Sequence, residues 1–253
     1  MFNRYKKKNS VTTMPVPVPA PRPVPLFDVP SGLVSLVKTA AGSLAKNGVA
    51  GQRAAVYLVI DRSYSMRHHF DNGSVQYLAE QALGLSANLD DDGTVPLVFF
   101  DSQPYPVVDI TLDRYTGVVA QQHTAHGGVT TMGGTQYTIA MRAVIEHYQA
   151  SGASDPALVI FQTDGAPQDR DAARLQLAHA SALPIFWSFV GFGPHTIPFL
   201  EQLDALPGRV VDNASYFHAG DRPAAVADGD LYDGLTREFG PWLVAARAKG
   251  VLR

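Results

Sequence analysis

The sequence predicts an α/β fold: a doubly wound, mostly parallel central sheet with helices on both faces. Short apolar runs rich in β-branched and aromatic residues alternate along the chain with longer amphipathic stretches, which is typical of βαβ units. Several runs are apolar throughout, as expected for strands buried on both sides of a parallel sheet. Hydrophobic residues make up 46% of the 253 residues and charged residues 17%, which leaves enough apolar material for a core.

These patterns define the elements. In chain order, we predict helix 33–45, strand 54–60, helix 75–89, strand 95–100, edge strand 107–110, helices 114–123 and 137–150, strand 157–162, helix 169–182, strand 185–190, helix 197–206, a last strand starting at 210–211, and helix 231–247. The strands are runs such as AAVYLVI and ALVIFQ, and the helices space apolar residues three or four apart. Ser31 is expected to cap the first helix. Gly240 and Pro241 are expected to kink the last one.

Residues 1–30 are predicted to lie outside the domain, which then covers residues 31–253 with a core at about 50–220. Residues 15–30 read PVPVPAPRPVPLFDVP, and so many prolines predict an extended polyproline II linker or, alternatively, a ligand for an aromatic groove. The basic tip (Arg4 and the lysines at 6–8) is interpreted as a solvated tail.

Composition narrows the function classes. The chain has no cysteine, which excludes disulfides, thiolate metal sites and cysteine nucleophiles and suits a reducing compartment. No apolar run is long enough to span a membrane, and no apolar stretch follows the basic N-terminus as in a secretory signal, so we expect a cytoplasmic protein. Beyond residue 30 the chain is net acidic, which argues against nucleic acid as a partner.

Oxygen-bearing residues follow the predicted strands, where ligands of such sheets bind. DRSYS at 61–65 follows strand 54–60, TDG at 163–165 follows strand 157–162, and GGT at 133–135 precedes a helix. The candidate metal ligands are Asp61, Ser63, Ser65, Thr135 and Asp164. All are hard oxygen donors, which favours Mg²⁺, Mn²⁺ or Ca²⁺ over Zn²⁺. Two carboxylates roughly neutralise a divalent ion and leave it able to accept another carboxylate.

This combination resembles the metal-ion-dependent adhesion site (MIDAS) of von Willebrand factor A (vWA) domains, and all five positions are filled over about residues 50–220. The phrases VYLVIDRSYSM, LDDDGTVPLVFFD, VIFQTDGAP and FWSFVGFG are similar to the stand-alone, TerF-like A-domain proteins of bacterial, particularly actinobacterial, tellurium-resistance and stress gene clusters. That closer likeness extends over about residues 31–253.

The resemblance implies a Rossmann-like vWA fold in which the five residues hold a divalent cation, Mg²⁺ by preference. It further implies a protein partner whose acidic residue completes the coordination, and a recognition role in a stress or tellurium-resistance response. Tyr64 departs from the many relatives that carry a small residue at its position. It supplies no ligand there, and its ring is expected to restrict access to the site or to contact the partner.

Other polar residues are more ambiguous. Asp101 also follows a strand and is interpreted either as a group that supports the metal ligands or as a turn residue. A zinc site is conceivable at two pairs of histidines, His68 with His69 and His123 with His126. No third ligand is identifiable for either pair, so we interpret them as surface histidines. We interpret the remaining conspicuous residues as structural. Residues 90–92 are expected to form a solvated turn, and core positions are expected for Phe186, Trp187 and Phe189.

Three alternatives to the recognition module stay open. In the first, Asp61, Ser63 and Asp164 cap helices and no metal binds. In the second, Asp61 is the nucleophile of a phosphatase-like, metal-dependent hydrolase, although Ser63 stands where Asp-x-Asp needs a second acid. The chain also lacks a G-x-S-x-G elbow, a P-loop lysine and a G-x-G-x-x-G turn. The third is a metal-free interaction scaffold. On balance, the sequence predicts no enzyme.

Overall fold

A six-stranded sheet crosses the middle of the computed structural model, which describes residues 28–253. Its strands are β1 Ala55–Asp61, β2 Thr94–Phe100, β3 Val108–Thr111, β4 Ala157–Thr163, β5 Ile185–Phe192 and β6 Ala214–Gly220. The strand order is β3-β2-β1-β4-β5-β6, in which β3 is antiparallel to β2 and every other neighbouring pair is parallel. The predicted, mostly parallel α/β fold is confirmed.

Helices cover both faces of this sheet. Their bounds are α1 Val34–Lys46, α2 Arg67–Asp71, α3 Ser74–Leu89, α4 Val118–Ala125, α5 Tyr137–Ser151, α6 Arg170–Ala180, α7 Pro198–Asp204, α8 Asp228–Thr236 and α9 Phe239–Ala248. Helices α1, α3, α8 and α9 contribute to one core layer, and α5, α6 and α7 to the other. Two layers arise because a parallel strand pair needs a long crossover connection, and here helices make those connections on either side of the sheet.

The central strand β4 is buried along its whole length. Leu158 and Ile160 belong to the core layer of α1 and α3, whereas Val159 and Phe161 belong to the layer of α5 to α7. Successive side chains of a strand point to opposite faces, so a strand covered on both sides needs apolar residues at every position. This is why an unbroken apolar run predicts a central strand here.

The sheet reverses its winding direction between β1 and β4. From β1 the chain continues to β2 and β3 on one side, whereas β4, β5 and β6 extend from the other side of β1. The loops after β1 and β4 therefore diverge and leave a crevice at the carboxyl ends of these strands, the usual ligand position in open α/β sheets. Asp61 ends β1 and Thr163 ends β4, so both motif loops start at this crevice.

One predicted helix cap and one predicted helix start are wrong. Ser31 does not cap α1, which begins at Val34 without a side-chain cap; instead, a backbone turn precedes it, in which the Leu33 N–H donates to the Pro30 carbonyl over 2.8 Å. The helix predicted to start at residue 114 starts at Val118. Gly117 has a φ of 67°, a left-handed conformation that interrupts a right-handed helix just before that point.

The last strand and the last helix also differ from the prediction. Residues 210–211 lie in a bend, and β6 begins at Ala214. The single kinked helix is two helices, α8 and α9, separated between Thr236 and Phe239. Pro241 lies in the first turn of α9, where backbone N–H groups have no partner within the helix, so it produces no kink.

The leader predicted at residues 1–30 falls almost entirely outside the described residues, and its extended, linker-like character stays a prediction. Between residues 28 and 253, none of the helices combines the length and the apolar character needed to cross a lipid bilayer.

Candidate metal centre

Asp61, the last residue of β1, joins the two central strands at the crevice. Its side chain is fully buried. One carboxylate oxygen accepts the Ser63 N–H over 2.7 Å, and the other accepts the Thr163 hydroxyl over 2.6 Å. Because Thr163 ends β4, the carboxylate ties together the carboxyl ends of both strands. Each oxygen keeps a second lone pair beyond the hydrogen bond that it accepts.

From this buried carboxylate, a row of oxygen atoms continues to the surface. The Ser63 and Ser65 hydroxyls are 3.1 Å apart, and the Ser65 hydroxyl donates to Asp164 Oδ1 over 2.9 Å. Ser65 is exposed in the short 3₁₀ turn Tyr64–Met66, and Asp164 is half-buried. Four of the five predicted ligands therefore lie together in one row with an open outer end.

Thr135, the fifth residue, lies in a loop that is held against the first one by the backbone. The Tyr64 N–H donates to the Gly133 carbonyl over 3.0 Å, and the Thr135 carbonyl accepts the Gln168 N–H over 2.9 Å. Among residues 28–253, the Thr135 hydroxyl makes no hydrogen bond with the other four candidates. The structure thus brings the threonine loop beside the row without joining its side chain to it.

Within residues 28–253 the two carboxylates form no ion pair, and the only nearby positive influence on Asp164 is the charge of His68, which lowers its pKa slightly against the effect of burial. Burial raises the pKa of Asp61 to about 7, although Thr163 and Ser63 donate hydrogen bonds to it, and the nearby charge of Asp164 raises it further. Burial also raises the pKa of Asp164, while the hydrogen bond from Ser65 opposes that shift. Neither acid takes part in a salt bridge within the described part of the chain. A cation placed here would stabilise both ionised forms.

The donor set fits a hard divalent cation. It offers two carboxylates and three hydroxyls, the ligand chemistry that Mg²⁺, Mn²⁺ and Ca²⁺ prefer. No three histidine, aspartate or glutamate side chains gather as metal ligands between residues 28 and 253, so at this centre hydroxyls and water would supply the remaining coordination. Asp61 and Asp164 would balance the charge of the ion, and Ser63, Ser65 and Thr135 would complete its shell.

The structure gives little support to the interpretation that Asp61, Ser63 and Asp164 cap helices. The carboxylate of Asp169, a residue that sequence reasoning missed, accepts the N–H groups of Tyr137 and Thr138 at the start of α5, over 3.0 and 2.9 Å. The 3₁₀ turn that follows Ser63 has no side-chain cap. Helix α6 begins at Arg170, six residues after Asp164. Helix capping therefore accounts for Asp169 and not for the acids of the candidate centre.

Tyr64 lies at the rim of the centre. Its side chain is 55% exposed, and the Arg67 guanidinium carbon lies 4.7 Å from the centre of its ring. Since Tyr64 is next to Ser65 in the chain, this aromatic and cationic pair borders the exposed outer end of the row.

Asp101 is buried, and its carboxylate is hydrogen-bonded to residues outside the row. Its Oδ2 accepts Arg62 Nη1 over 3.1 Å and the Tyr105 hydroxyl over 2.6 Å. Sequence reasoning missed Arg62, which lies between two predicted ligands in the chain and is fully buried. The sequence does show an arginine directly after an apolar strand. Nothing in the neighbouring residues, however, indicates that its side chain turns inward.

The surface interpretation of the histidines is wrong for two of them. His69 is fully buried and packs on Phe192, with ring centres 4.9 Å apart. His123 is buried and stacks on Phe70 at 4.2 Å. Helix α2 turns His69 towards the core and α4 turns His123, and burial lowers the pKa of His69 to about 4.

The other structural interpretations agree with the structure. Residues 90–92 form a turn between α3 and β2, in which Asp91 pairs with Arg53 over 3.0 Å. Phe186, Trp187 and Phe189 are buried in the core.

Comparisons with known proteins agree with this architecture. Residues 53–252 match a family model, vWA-TerF-like, described as the vWA found in the TerF C terminus. The chain is 30% identical over 211 residues to the uncharacterized protein YcbR of Bacillus subtilis (strain 168), covering 83% of this chain and 86% of that protein.

A solved structure shares the fold. The von Willebrand factor type A protein from Catenulispora acidiphila superposes with a TM-score of 0.50 at 16% identity, over 75% of this chain. The match covers 43% of that solved chain, so the present chain spans less than half of its length.

Proposed function

The chain belongs to the TerF-like von Willebrand factor A family, and we propose that it acts as a metal-dependent protein-recognition module. A divalent cation, Mg²⁺ by preference, is held by five residues: Asp61, Ser63, Ser65, Thr135 and Asp164. An acidic residue of a protein partner completes the coordination. We place the protein in the cytoplasm, as its sequence composition leads us to expect, and in the bacterial stress or tellurium-resistance response that the family resemblance implies.

One observation carries the proposal: the row from Asp61 through Ser63 and Ser65 to Asp164, which contains two carboxylates and no basic group. Buried carboxylates without a countercharge are costly, and a divalent ion would remove that cost. Two negative charges roughly neutralise such an ion and leave it able to attract a third carboxylate. The exposed Ser65 end of the row supports approach from solvent.

Tyr64 and Arg67 extend this recognition surface. The exposed ring offers an apolar contact, and the guanidinium beside it attracts a second negative charge on the partner. Acidic segments are therefore the favoured partners.

The hydrolase alternative is disfavoured by the environment of Asp61. A nucleophilic carboxylate has to reach its substrate, but Asp61 is fully buried and both its oxygens accept hydrogen bonds, from Ser63 and Thr163. The acid that faces the crevice mouth is Asp164, whose Oδ1 accepts the Ser65 hydroxyl.

Titration calorimetry with MgCl₂ and MnCl₂ tests metal binding. We expect a dissociation constant of about 1 mM or tighter for the wild type and loss of binding in Asp61→Ala and Asp164→Ala. Asp171→Ala is the matched control, because Asp171 is an exposed acid in α6 that pairs with Arg174 on the surface. Equal heats from all four proteins would contradict the proposal and favour the metal-free scaffold.

An affinity capture with and without EDTA then tests recognition. We expect partner proteins to be captured only when the cation is present, and we expect the Asp164→Ala variant to capture none of them. Metal-dependent phosphate release from a model substrate that is lost in Asp61→Ala but kept in Thr135→Ala would instead support the hydrolase.

A further inference from the structure

Arg62 is a charged side chain with no exposed surface. Its Nη1 donates to Asp101 Oδ2 over 3.1 Å and to the Tyr105 hydroxyl over 2.6 Å. Tyr105 in turn donates to the same Asp101 oxygen. Burying a guanidinium is costly unless it is paired and hydrogen-bonded. We therefore expect Arg62, which directly follows β1, to do more than fill space in the core.

The other side of the guanidinium binds the loop that leads to Thr135. Arg62 Nη2 donates to the carbonyls of His126 and Gly128 over 3.0 and 2.7 Å, and Nη1 donates to the Thr131 carbonyl over 3.3 Å. Gly127 and Gly128 have φ angles of 92° and 59°, which only glycine adopts readily. These two left-handed residues turn the carbonyls of one loop towards a single side chain.

The loop then passes directly over Asp101. A Cβ atom on Gly133 would lie 3.1 Å from Asp101 Cγ, so only glycine fits without a shift. The Gly134 N–H donates to the Ser102 hydroxyl over 2.8 Å, and the Gln136 N–H donates to the Asp101 carbonyl over 3.1 Å. The residues before and after Thr135 are thus tied to the segment that the Arg62 ion pair anchors.

We propose that Arg62 is the positioning residue of the metal centre, because it joins Asp101 to loop 126–131 and thereby holds the backbone that carries Thr135 against the Ser63–Ser65 turn. The D-x-S-x-S loop then has two roles: Asp61, Ser63 and Ser65 face the cation, and Arg62 faces the loop that brings the third hydroxyl. This inference rests on the proposed function, since it assigns Arg62 an effect on cation binding.

The first test compares Arg62→Lys with the wild type. Lysine keeps the charge, but its single nitrogen cannot bind Asp101 and the loop carbonyls in the two directions of a guanidinium. We expect the dissociation constant for Mn²⁺, measured by calorimetry, to rise about 10- to 100-fold, the usual effect of removing a group that orients a metal ligand.

Arg209→Lys is the matched control. Arg209 is also nearly buried, donates to the Leu206 carbonyl over 2.7 Å and pairs with Asp212 over 2.7 Å, but it precedes β6 at the opposite end of the sheet. Its variant should lose stability while its affinity for Mn²⁺ stays within about twofold. Equal losses of affinity in both variants would overturn the inference, since they would reflect general destabilisation.

A double-mutant cycle with Thr135→Ala tests whether Arg62 acts through Thr135. Once the hydroxyl is absent, Arg62→Lys should change Mn²⁺ affinity little, so that the two effects are not additive. Water proton relaxation should report an additional water on Mn²⁺ in either single variant. Additive losses of affinity, or an unchanged number of bound waters, would show that Arg62 does not act by placing this ligand.

Calorimetry of the wild type and hydrogen exchange of the metal-free variants test the proposed function and the role of Arg62 separately. If the wild type binds no Mn²⁺, the proposed function fails, and hydrogen exchange in the metal-free protein decides the positioning step. We expect faster exchange of the Gly134 and Tyr64 amides in Arg62→Lys but not in Arg209→Lys. Unchanged exchange at both amides would overturn the inference on its own.

Discussion

The candidate metal centre and the Arg62 network lie side by side at the carboxyl end of β1, yet they balance charge in opposite ways. In the network, the buried guanidinium of Arg62 faces the buried carboxylate of Asp101, and its other contacts are neutral oxygens. In the centre, Asp61 and Asp164 receive hydrogen bonds from hydroxyl and amide groups but have no salt-bridge partner within residues 28–253.

The Arg62 network thus contains its own countercharge, whereas the candidate metal centre could gain one by binding a cation. The network is neutral, and both terminal nitrogens of Arg62 are hydrogen-bonded, while its buried Nε has no partner among the described residues; pairing with Asp101 thus offsets much of the cost of burial. The centre keeps two acids together without a countercharge, and its outer end is open to solvent. Three changes to buried polar groups at this end of the sheet test that contrast.

The largest effect is expected from Arg62→Ala. It leaves the Asp101 carboxylate buried without a countercharge, and we expect the free energy of unfolding to fall by about 3–5 kcal/mol. Urea unfolding measures the loss. Arg67→Ala is the control, because Arg67 is exposed, and it should change stability by no more than about 0.5 kcal/mol. A loss below about 1 kcal/mol in Arg62→Ala would mean that Asp101 does not depend on Arg62 for its charge balance.

His69 gives the next largest effect, because it is buried and polar but not part of either charge system. Burial, with help from the charge of His68 and against that of Asp221, lowers its pKa to about 4, whereas an unfolded histidine titrates near 6.5. Between these pH values the unfolded chain binds a proton that the folded chain does not. Stability contributed by the neutral ring is thus full above about pH 6.5 and falls by about 2–3 kcal/mol as the pH drops towards 4.

Urea unfolding at pH 7 and pH 4.5 checks this sign. In His69→Phe, whose ring would pack on Phe192, that part of the decrease should disappear, while the contribution of the carboxylates remains in both proteins. His195→Phe, at an exposed loop position, should keep the pH dependence of the wild type. Identical pH dependence in His69→Phe and the wild type would contradict the prediction.

Asp61→Asn should have the smallest effect, and in the opposite direction. In EDTA at pH 8, removing a buried negative charge without a countercharge should raise the free energy of unfolding by about 1 kcal/mol. With Mg²⁺ added, the wild type should gain thermal stability and the variant should not. Asp171→Asn should behave like the wild type under both conditions. Destabilisation of Asp61→Asn in EDTA would contradict this prediction and show that the hydrogen bonds from Ser63 and Thr163 outweigh the cost of the buried charge.

Local sequence patterns were sufficient to predict the fold class and most of the helices and strands. The apolar runs that became β1, β4 and β5 lie within one or two residues of their predicted bounds, because burial on both faces leaves no polar alternation to confuse the pattern. The start of β6 was predicted at 210–211 instead of Ala214 because Ser215, Tyr216 and His218 give the strand a polar character that a loop shares. The break between α8 and α9 was misplaced because proline in a first helical turn looks, in sequence, like proline in the middle of a helix.

The sequence by itself determined the parallel α/β architecture, the vWA-type motif and the loops that carry the five candidate ligands, since each depends on residues close together in the chain. Tertiary structure decided how those loops meet. Thr163 lies 102 residues from the Asp61 carboxylate that it binds, and Asp101 lies 39 residues from Arg62. Such partners become neighbours only through the order of strands in the sheet, because a local pattern specifies whether a segment is buried but not which distant side chain it will face.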